Sequence, residues 1–189
     1  HHGRALTAIA LIAAAFVFQL SATINFMSKY LQETHHYAPQ EVSLLFIVAG
    51  SIALFGTTTA GRISDHIGRR PTLIAALLLN CAATIAFYNS GGWLLPLAWI
   101  ISLFSFFAIE VMISAIGGEL FPTSCRSTAA TLRAICTTFA AVAGLAMQGI
   151  LFNALGSHAA ALSVLALSTL LAIPVVVLML RETSHTELS

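Results

Sequence analysis

Two charged residues occur inside long apolar stretches, where a charge is unfavourable. Glu110 precedes Glu119 by nine residues, and Arg133 follows Arg126 by seven. At 1.5 Å per residue along a helix, these separations are about 13 Å and about 10 Å, so antiparallel helices would bring the two charges to similar depths. An isolated charge in hydrocarbon costs at least about 2.5–3.5 kcal/mol. We therefore expect Glu110 and Arg133 to pair, to change protonation or to face a wet cavity, and both are candidates for solute binding or ion coupling.

Neutral polar residues mark one face of two apolar stretches. The stripe that continues from Arg133 at helical spacing consists of Thr137, Ala141, Gly144 and Gln148. The stripe in the first stretch consists of Ser21, Asn25 and Ser28, with Gln19 nearby. Such stripes either line a cavity or pack against another helix, and isolated hydroxyl groups commonly bond their own backbone. Gln19, Asn25 and Gln148 are therefore further candidates for contact with a solute.

The composition places these charges in a membrane protein. Of 189 residues, 58% are hydrophobic and 8% are charged, and the mean hydropathy is +0.92. Soluble proteins carry roughly 25% charged residues, and so few charges cannot solvate the surface of a globular chain of this length. The net charge of +1 provides no basic field for nucleic acid. We expect a lipid bilayer as the surrounding partner and no nucleic-acid partner.

Uncharged stretches give the number of membrane spans. A hydrocarbon core of about 30 Å needs about 20 apolar residues in a helix. The sequence has two stretches of this kind and two of about double length, each of which is interrupted near its middle by turn residues such as Asn-Ser-Gly-Gly at 89–92. An all-α polytopic bundle of six transmembrane helices is predicted, in a single domain over residues 1–189. The predicted helix ranges are 6–28, 41–61, 72–89, 93–117, 127–152 and 158–180.

Basic residues are distributed unequally between the two sides of this topology. One side carries Arg4, Arg62, Arg69, Arg70, Arg126 and Arg181, and the other carries Lys29. Because basic loops remain in the cytoplasm, both termini are predicted to be cytoplasmic in a multi-pass protein of the plasma membrane, the inner membrane of a bacterial cell. The chain begins at His1 and not at Met, which suggests a fragment or an excised domain.

The loop between the second and third predicted helices has the most specific pattern. It reads GRISDHIGRR over residues 61–70. Gly61 would let another helix approach, Asp65 would stabilise a nearby helix N-terminus, and Gly68 would permit a tight reversal. Arg69 and Arg70 would hold the loop on the cytoplasmic side. The alternative is a generic basic turn, which also contains glycine and arginine.

A second patterned segment follows the fourth predicted helix. Residues 118–126 read GELFPTSCR, in which Pro122 ends the helix and Thr123 or Ser124 can begin the next one. Glu119 and Arg126 can pair with each other or with the charges of the 61–70 loop. A network that forms in one conformation and breaks in another would bias a two-state protein. The alternative is that these residues are only helix caps and topology charges.

These segments resemble signatures of the major facilitator superfamily. Residues 61–70 are similar to its loop motif G-x-x-x-D-x-x-G-R-(R/K), and residues 119–126 are similar to the E-(L/F)-(F/Y)-P-T-x-x-R element of its sugar, organic-ion and metabolite branches. The tail Arg181-Glu182-Thr183, with Leu188 beyond, is similar to the ending of those branches, although Arg181 stands where proline is usual. The resemblance covers essentially the whole chain and corresponds to the C-terminal six-helix half of a twelve-helix fold.

The resemblance also implies a function. It implies a secondary active transporter that moves a small solute, such as a sugar, an organic acid or another metabolite, by alternating access, with proton symport as one mode. The partner would be an N-terminal six-helix half, and the first, second, fourth and fifth helices would form the wall of the solute site. It implies a cytoplasmic gating motif made of Gly61, Asp65, Gly68, Arg69, Arg70, Glu119 and Arg126.

Other functions fit the sequence less well. The runner-up is a truncated or partner-dependent membrane module without transport activity of its own. An intramembrane serine protease needs a G-x-S-x motif and a histidine within another helix, and a protease with paired aspartates is disfavoured because Asp65 is the single aspartate. The three cysteines lack metal-ligand spacing. We therefore expect no enzymatic activity, cofactor or metal.

Overall fold

The computed structural model describes residues 2–121 and 123–180, and within these residues it is entirely helical apart from short turns. The elements are α1 (His2–His35), α2 (Pro39–Ile67), α3 (Arg69–Asn89), α4 (Leu94–Leu120), α5 (Thr123–Leu155), α6 (His158–Leu167), a 3₁₀ segment (Ser168–Leu171) and α7 (Ala172–Met179). Pro122 and the tail that contains Arg181, Glu182, Thr183 and Leu188 lie outside the described residues, so the expectations about them remain predictions.

Six stretches of the described chain are long and apolar enough to cross a membrane, which confirms the predicted all-α bundle. The last of these spans, His158–Met179, combines α6, the 3₁₀ segment and α7. Most helices extend beyond the predicted ranges: α1 continues to His35, and α2 continues through Gly61 to Ile67. The difference arises because hydropathy marks the part of a helix at hydrocarbon depth, whereas the helix itself continues into water.

The last span is interrupted where the sequence suggested one continuous helix. Pro174 has no N–H group, so the carbonyl four residues earlier loses its α-helical donor. The four residues Ser168–Leu171 just before this region take the tighter 3₁₀ form. Thr169 in this segment is buried, and its hydroxyl donates a hydrogen bond to Oε1 of Gln19 at 3.4 Å. The interruption therefore ties the last span to α1.

The most extensive helix packing joins α1 with α5, and α4 with both α2 and α3. The α1–α5 approach is tightest at Gly144, where an added Cβ atom would lie 1.9 Å from the carbonyl oxygen of Phe18. Close by, the Ser21 hydroxyl donates to the carbonyl oxygen of Ala141 at 2.9 Å. Ala141 and Gly144 of the polar stripe therefore pack against α1, as small residues commonly do between membrane helices.

A buried polar network joins α3 and α4. Nδ2 of Asn80 donates to the carbonyl oxygen of Ser102 and to Oγ of Ser105, both at 3.1 Å, and the hydroxyls of Thr84 and Ser102 are 3.1 Å apart. All four side chains are buried. Because hydrocarbon offers no hydrogen bonds, polar groups in a membrane bundle find partners on neighbouring helices. This network fixes how α3 and α4 rotate against each other.

Candidate functional site

The fold brings Glu110 and Arg133 together. Glu110 extends from α4 and Arg133 from α5, and Oε2 lies 3.6 Å from Nη1. The side chains are 34% and 29% exposed, so each is partly covered. The separation exceeds the 2.7–2.9 Å that is typical of a charge-assisted hydrogen bond. The pair thus reduces the cost of placing both charges within spans, although its contact is longer than a direct hydrogen bond.

Arg133 also lines a cavity between α1, α4 and α5. The cavity has a volume of about 190 Å³. Its apolar wall includes Leu6 and Ile9 from α1 and Ile113 from α4, and Arg126 lines it together with Arg133. On α5 these two arginines are one heptad apart and share a helical face. The cavity therefore combines an aliphatic wall with two guanidinium groups.

Arg126 binds the end of α4. Its Nη2 donates to the carbonyl oxygens of Gly118 at 2.9 Å and Phe121 at 3.4 Å. The last carbonyls of a helix lack intrahelical donors and carry the negative end of the helix dipole, so a guanidinium is stabilised there. The sequence allowed Glu119 to pair either with Arg126 or with the charges of the 61–70 loop. In the structure Glu119 pairs with Arg69, and Arg126 contacts backbone carbonyls instead.

Arg69 is the centre of an ion cluster that joins three helix ends. Its Nε and Nη2 donate to Oε1 of Glu119 at 3.1 Å and 2.9 Å, and its Nη2 lies 2.9 Å from Oδ1 of Asp65. Its Nη1 also donates to the hydroxyl of Ser64. The Arg69 side chain is 16% exposed, so solvent screens this cluster less than an ordinary surface pair. The end of α2, the start of α3 and the end of α4 are thereby connected.

The two glycines of the 61–70 segment have different surroundings. Gly68 separates α2 from α3 with φ of 111° and ψ of 153°, and its N–H donates to the Ser64 carbonyl at 3.0 Å. Side chains other than glycine rarely adopt this conformation. Gly61 lies within α2, and a Cβ atom there would meet no atom of the described chain within 4 Å. No described helix approaches closely at Gly61, so the expectation that this glycine admits a neighbouring helix stays a prediction.

Arg70 and Arg4 bind the end of the last helix. Nη2 of Arg70 donates to the carbonyl oxygen of Val177 at 2.6 Å, and Nη2 of Arg4 donates to that of Leu178 at 3.2 Å. The sequence predicts only a topological role for Arg4, although this side of the bundle also contains the end of the last span. We call this end the arginine end; it contains Arg4, Arg69, Arg70 and Arg126.

The remaining candidates lie apart from the Glu110–Arg133 pair. Gln19 is fully buried, and its Nε2 donates to the hydroxyls of Thr23 at 2.7 Å and Thr84 at 3.4 Å. Asn25 is exposed on α1, and its Nδ2 donates to the Ser21 carbonyl at 2.7 Å. Gln19 therefore joins helices within the bundle, whereas Asn25 remains open to contact from outside it.

Gln148 lies against a histidine that sequence reasoning passed over. Gln148 is fully buried, and its Nε2 is 3.1 Å from Nδ1 of His158 at the start of α6. The His158 ring stacks on Phe152 with centroids 4.0 Å apart. In the sequence, Gln148 and His158 are ten positions apart with a predicted turn between them. This spacing is compatible with contact between the two side chains, but it does not show that the turn brings them together.

Within residues 2–121 and 123–180, no group of three or more His, Cys, Asp or Glu side chains is placed to hold a metal ion. Cys81, Cys125 and Cys136 are free cysteines. The chemistry of the described site is therefore that of charged and aliphatic side chains.

Comparison with known proteins agrees with this architecture. The chain is similar to the crystal structure of a bacterial homologue of the human lysosomal transporter Spinster, in an inward-facing and unoccupied conformation. The identity is 15%, the TM-score is 0.63, and the match covers 93% of this chain but 46% of that one, so this chain spans about half its length. Comparison with curated protein sequences gives no match. A family model described as Major Facilitator Superfamily matches residues 9–189, and the chain therefore belongs to the major facilitator superfamily.

Proposed function

We propose that this chain is the C-terminal half of a secondary active transporter that moves a small solute by alternating access. The observation that carries the proposal is the half-buried Glu110–Arg133 pair, which lies within two membrane spans and beside a cavity. Charged residues within spans are rare and typically mark solute or ion pathways. Family membership and the half-length match support the same function. Transport of this kind moves the solute unchanged and requires no catalytic step.

The uncovered surfaces of α2 and α5 support a missing N-terminal half as the partner. Only 11% of the α5 span and 28% of the α2 span are buried inside the described bundle, against 50% for α3. Large apolar side chains are exposed on both, including Phe55 at 74% and Phe139 at 73%. The open space beside Gly61 also leaves room for a helix from another domain. In this fold the solute site lies between two such halves near the midplane.

The arginine end is proposed to face the cytoplasm of a plasma membrane, the inner membrane in a bacterium. Four arginines bind helix ends or acidic side chains there, and basic residues are retained on the cytoplasmic side during insertion. Both termini would then be cytoplasmic. The Arg69–Glu119–Asp65 cluster would form in one conformation of the transport cycle and open in the other, and so contribute to the balance between the two.

Glu110 is proposed to couple transport to protons. When Glu110 is ionised, it occupies Arg133 as its partner. When it takes up a proton, Arg133 loses that partner and gains affinity for an anionic group on a solute. Binding of the solute and of the proton would then favour each other, as linkage requires. This exchange of partners would give symport, and the loose 3.6 Å contact supports it.

The test is solute exchange by the full-length protein in liposomes. Vesicles preloaded with one of several metabolite pools are diluted into the same pool in labelled form, and accumulation of label is compared with protein-free vesicles. We expect one pool to exchange. Absence of exchange by folded, correctly inserted protein would favour the alternative, a partner-dependent membrane module without transport activity of its own. The isolated six-helix chain serves as a control, because a half site is expected to be inactive.

A further inference from the structure

We propose that the cavity between α1, α4 and α5 binds a small organic monoanion, with its acidic group at Arg126 and Arg133 and its apolar body against Leu6, Ile9 and Ile113. This inference rests on the proposed function and names its class of substrate. The cavity extends from Arg133 to Arg126 at the arginine end, so it would hold the solute on the cytoplasmic side of the site between the two halves. Three features of the cavity favour such a ligand: its charge, the character of its wall and its size.

The charge of the cavity favours an anion. Arg126 and Arg133 both line it. Among the described residues, Arg133 has Glu110 as its acidic partner, at 3.6 Å, whereas the contacts of Arg126 are with backbone carbonyls, which are neutral. Two positive charges and one negative charge leave a net charge of one positive unit. Glu119 and Asp65 are left out of this sum because both contact Arg69, at 2.9 Å, and neither lines the cavity. A ligand with one negative charge would balance the site.

The wall favours an apolar body over a sugar. Apart from the two arginines, Ser114 is the one residue with a polar side chain among those that line the cavity, and the rest are aliphatic, aromatic or glycine. The hydroxyls of a sugar would lose water without gaining partners, and burying such groups unpaired is unfavourable. An organic cation would face two guanidinium groups, and like charges in a site discriminate strongly against a ligand. A carboxylate attached to a short hydrocarbon would contact the two arginines with its charged group and the aliphatic wall with its apolar part.

The size favours a small metabolite. A volume of about 190 Å³ is below the roughly 300–1,000 Å³ of pockets that enclose drug-sized ligands. Gly117 and Gly118 line the cavity beside α5, and an added Cβ atom at either would meet nothing within 4 Å. The two glycines therefore leave free space on their side of the cavity.

The test measures binding to the purified full-length protein by its thermal unfolding. Butyrate is compared with butanol, butylammonium and succinate at constant ionic strength. We expect butyrate to raise the midpoint temperature most. In Arg133→Gln and Arg126→Gln, the half-saturating butyrate concentration should rise about tenfold or more, because each variant removes a charged partner. Arg62→Gln is the matched control, since Arg62 is an exposed arginine of α2 that does not line the cavity.

Further variants separate loss of binding from loss of folding. Arg126→Lys keeps the positive charge and should retain most of the butyrate effect. Ala130→Leu keeps every charge but fills part of the cavity that Ala130 lines, and it should abolish the effect. A full butyrate effect in Ala130→Leu would show that the anion binds elsewhere and would overturn the proposal. Equal stabilisation by butanol or butylammonium, or greater stabilisation by succinate, would overturn it as well.

Failure of this inference is distinguishable from failure of the proposed function. If butyrate does not bind but liposomes exchange a sugar or a cation, the chain is part of a transporter and the monoanion assignment is wrong. If butyrate binds at Arg126 and Arg133 but no pool exchanges, the cavity assignment holds and the transport function is wrong.

Discussion

The guanidinium of Arg69 and the carboxylate of Glu119 form a two-point contact, with Nε and Nη2 at 3.1 Å and 2.9 Å from one oxygen. The two residues are fifty positions apart in sequence, and their contact joins the α2–α3 connection to the end of α4. Arg69 is largely covered, so the pair is less screened than a surface pair. It is therefore the strongest candidate for a contact that one conformation has and the other lacks.

Glu119→Gln in the full-length protein should lower the rate of solute exchange several-fold. The variant keeps the shape of the side chain but removes one of the two carboxylates that contact Arg69, so the balance between conformations should shift by about 1–3 kcal/mol. Exchange is measured in liposomes at matched protein content. If the single variant exchanges at the normal rate, the pair is only a structural cap.

Asp65→Asn should reduce exchange while expression and insertion remain normal. Asp65 is 61% exposed and contacts Arg69 four residues later, and an exposed pair of this kind contributes about 0–1 kcal/mol to stability. Its loss should therefore affect the orientation of Arg69 more than folding. Initial rates and melting temperature are both measured, with Arg62→Gln as the control for removal of a nearby charge. Unchanged kinetics in Asp65→Asn would reduce the 61–70 segment to a topology signal.

Single cysteines placed at Ser90 and Ser157 should react with an impermeant thiol reagent on intact cells, and a cysteine at His66 should react only after permeabilisation. The physical reason is the arginine end, which is expected to remain in the cytoplasm. Cys81, Cys125 and Cys136 are first replaced, because two of them, Cys125 and Cys136, are exposed. Labelling at residue 66 in intact cells would reverse the proposed orientation.

Gly144→Ala should destabilise the bundle, whereas Gly149→Ala should not. A Cβ atom at Gly144 would lie 1.9 Å from the backbone oxygen of Phe18, which cannot move aside as a side chain can, but a Cβ at Gly149 meets nothing within 4 Å. Overpacking of this kind costs about 1–3 kcal/mol. Melting temperatures of the two full-length variants are compared. Equal values would mean that the α1–α5 crossing is looser than the structure shows.

The sequence predicted the number of helices well because hydropathy reports directly on the apolar length that a bilayer requires. The depth match of Glu110 and Arg133 also followed from helical rise alone. What could not be predicted depends on how helices rotate and approach. Hydropathy does not specify which helix faces meet. Three features depend on this: the contacts of Arg126 with carbonyls, the open space beside Gly61 and the burial of Gln19. Pro174 was visible in the sequence, but the contact between Thr169 of the 3₁₀ segment and Gln19 of α1 was not.

Glu110→Gln separates the proposed coupling role from a structural role. Glutamine keeps the size of the side chain and its ability to hydrogen bond but cannot exchange a proton. If Glu110 couples transport, accumulation driven by a proton gradient should fall to the protein-free level. Exchange of solute already present on both sides should persist, because exchange requires no net proton release. Both modes are measured in the same liposomes, with and without an imposed pH gradient.

A structural role gives a different pattern. If Glu110 only neutralises Arg133, the glutamine variant leaves a partly buried cation without its 3.6 Å partner, which is strongly destabilising. Folding, accumulation and exchange should then decline together, and Arg133→Gln in the same protein should restore part of all three. The coupling hypothesis predicts no such rescue of accumulation, since a double variant has neither a titrating carboxylate nor an anion-binding guanidinium. If accumulation and exchange are both normal in Glu110→Gln, the carboxylate faces a wet vestibule, and neither role applies.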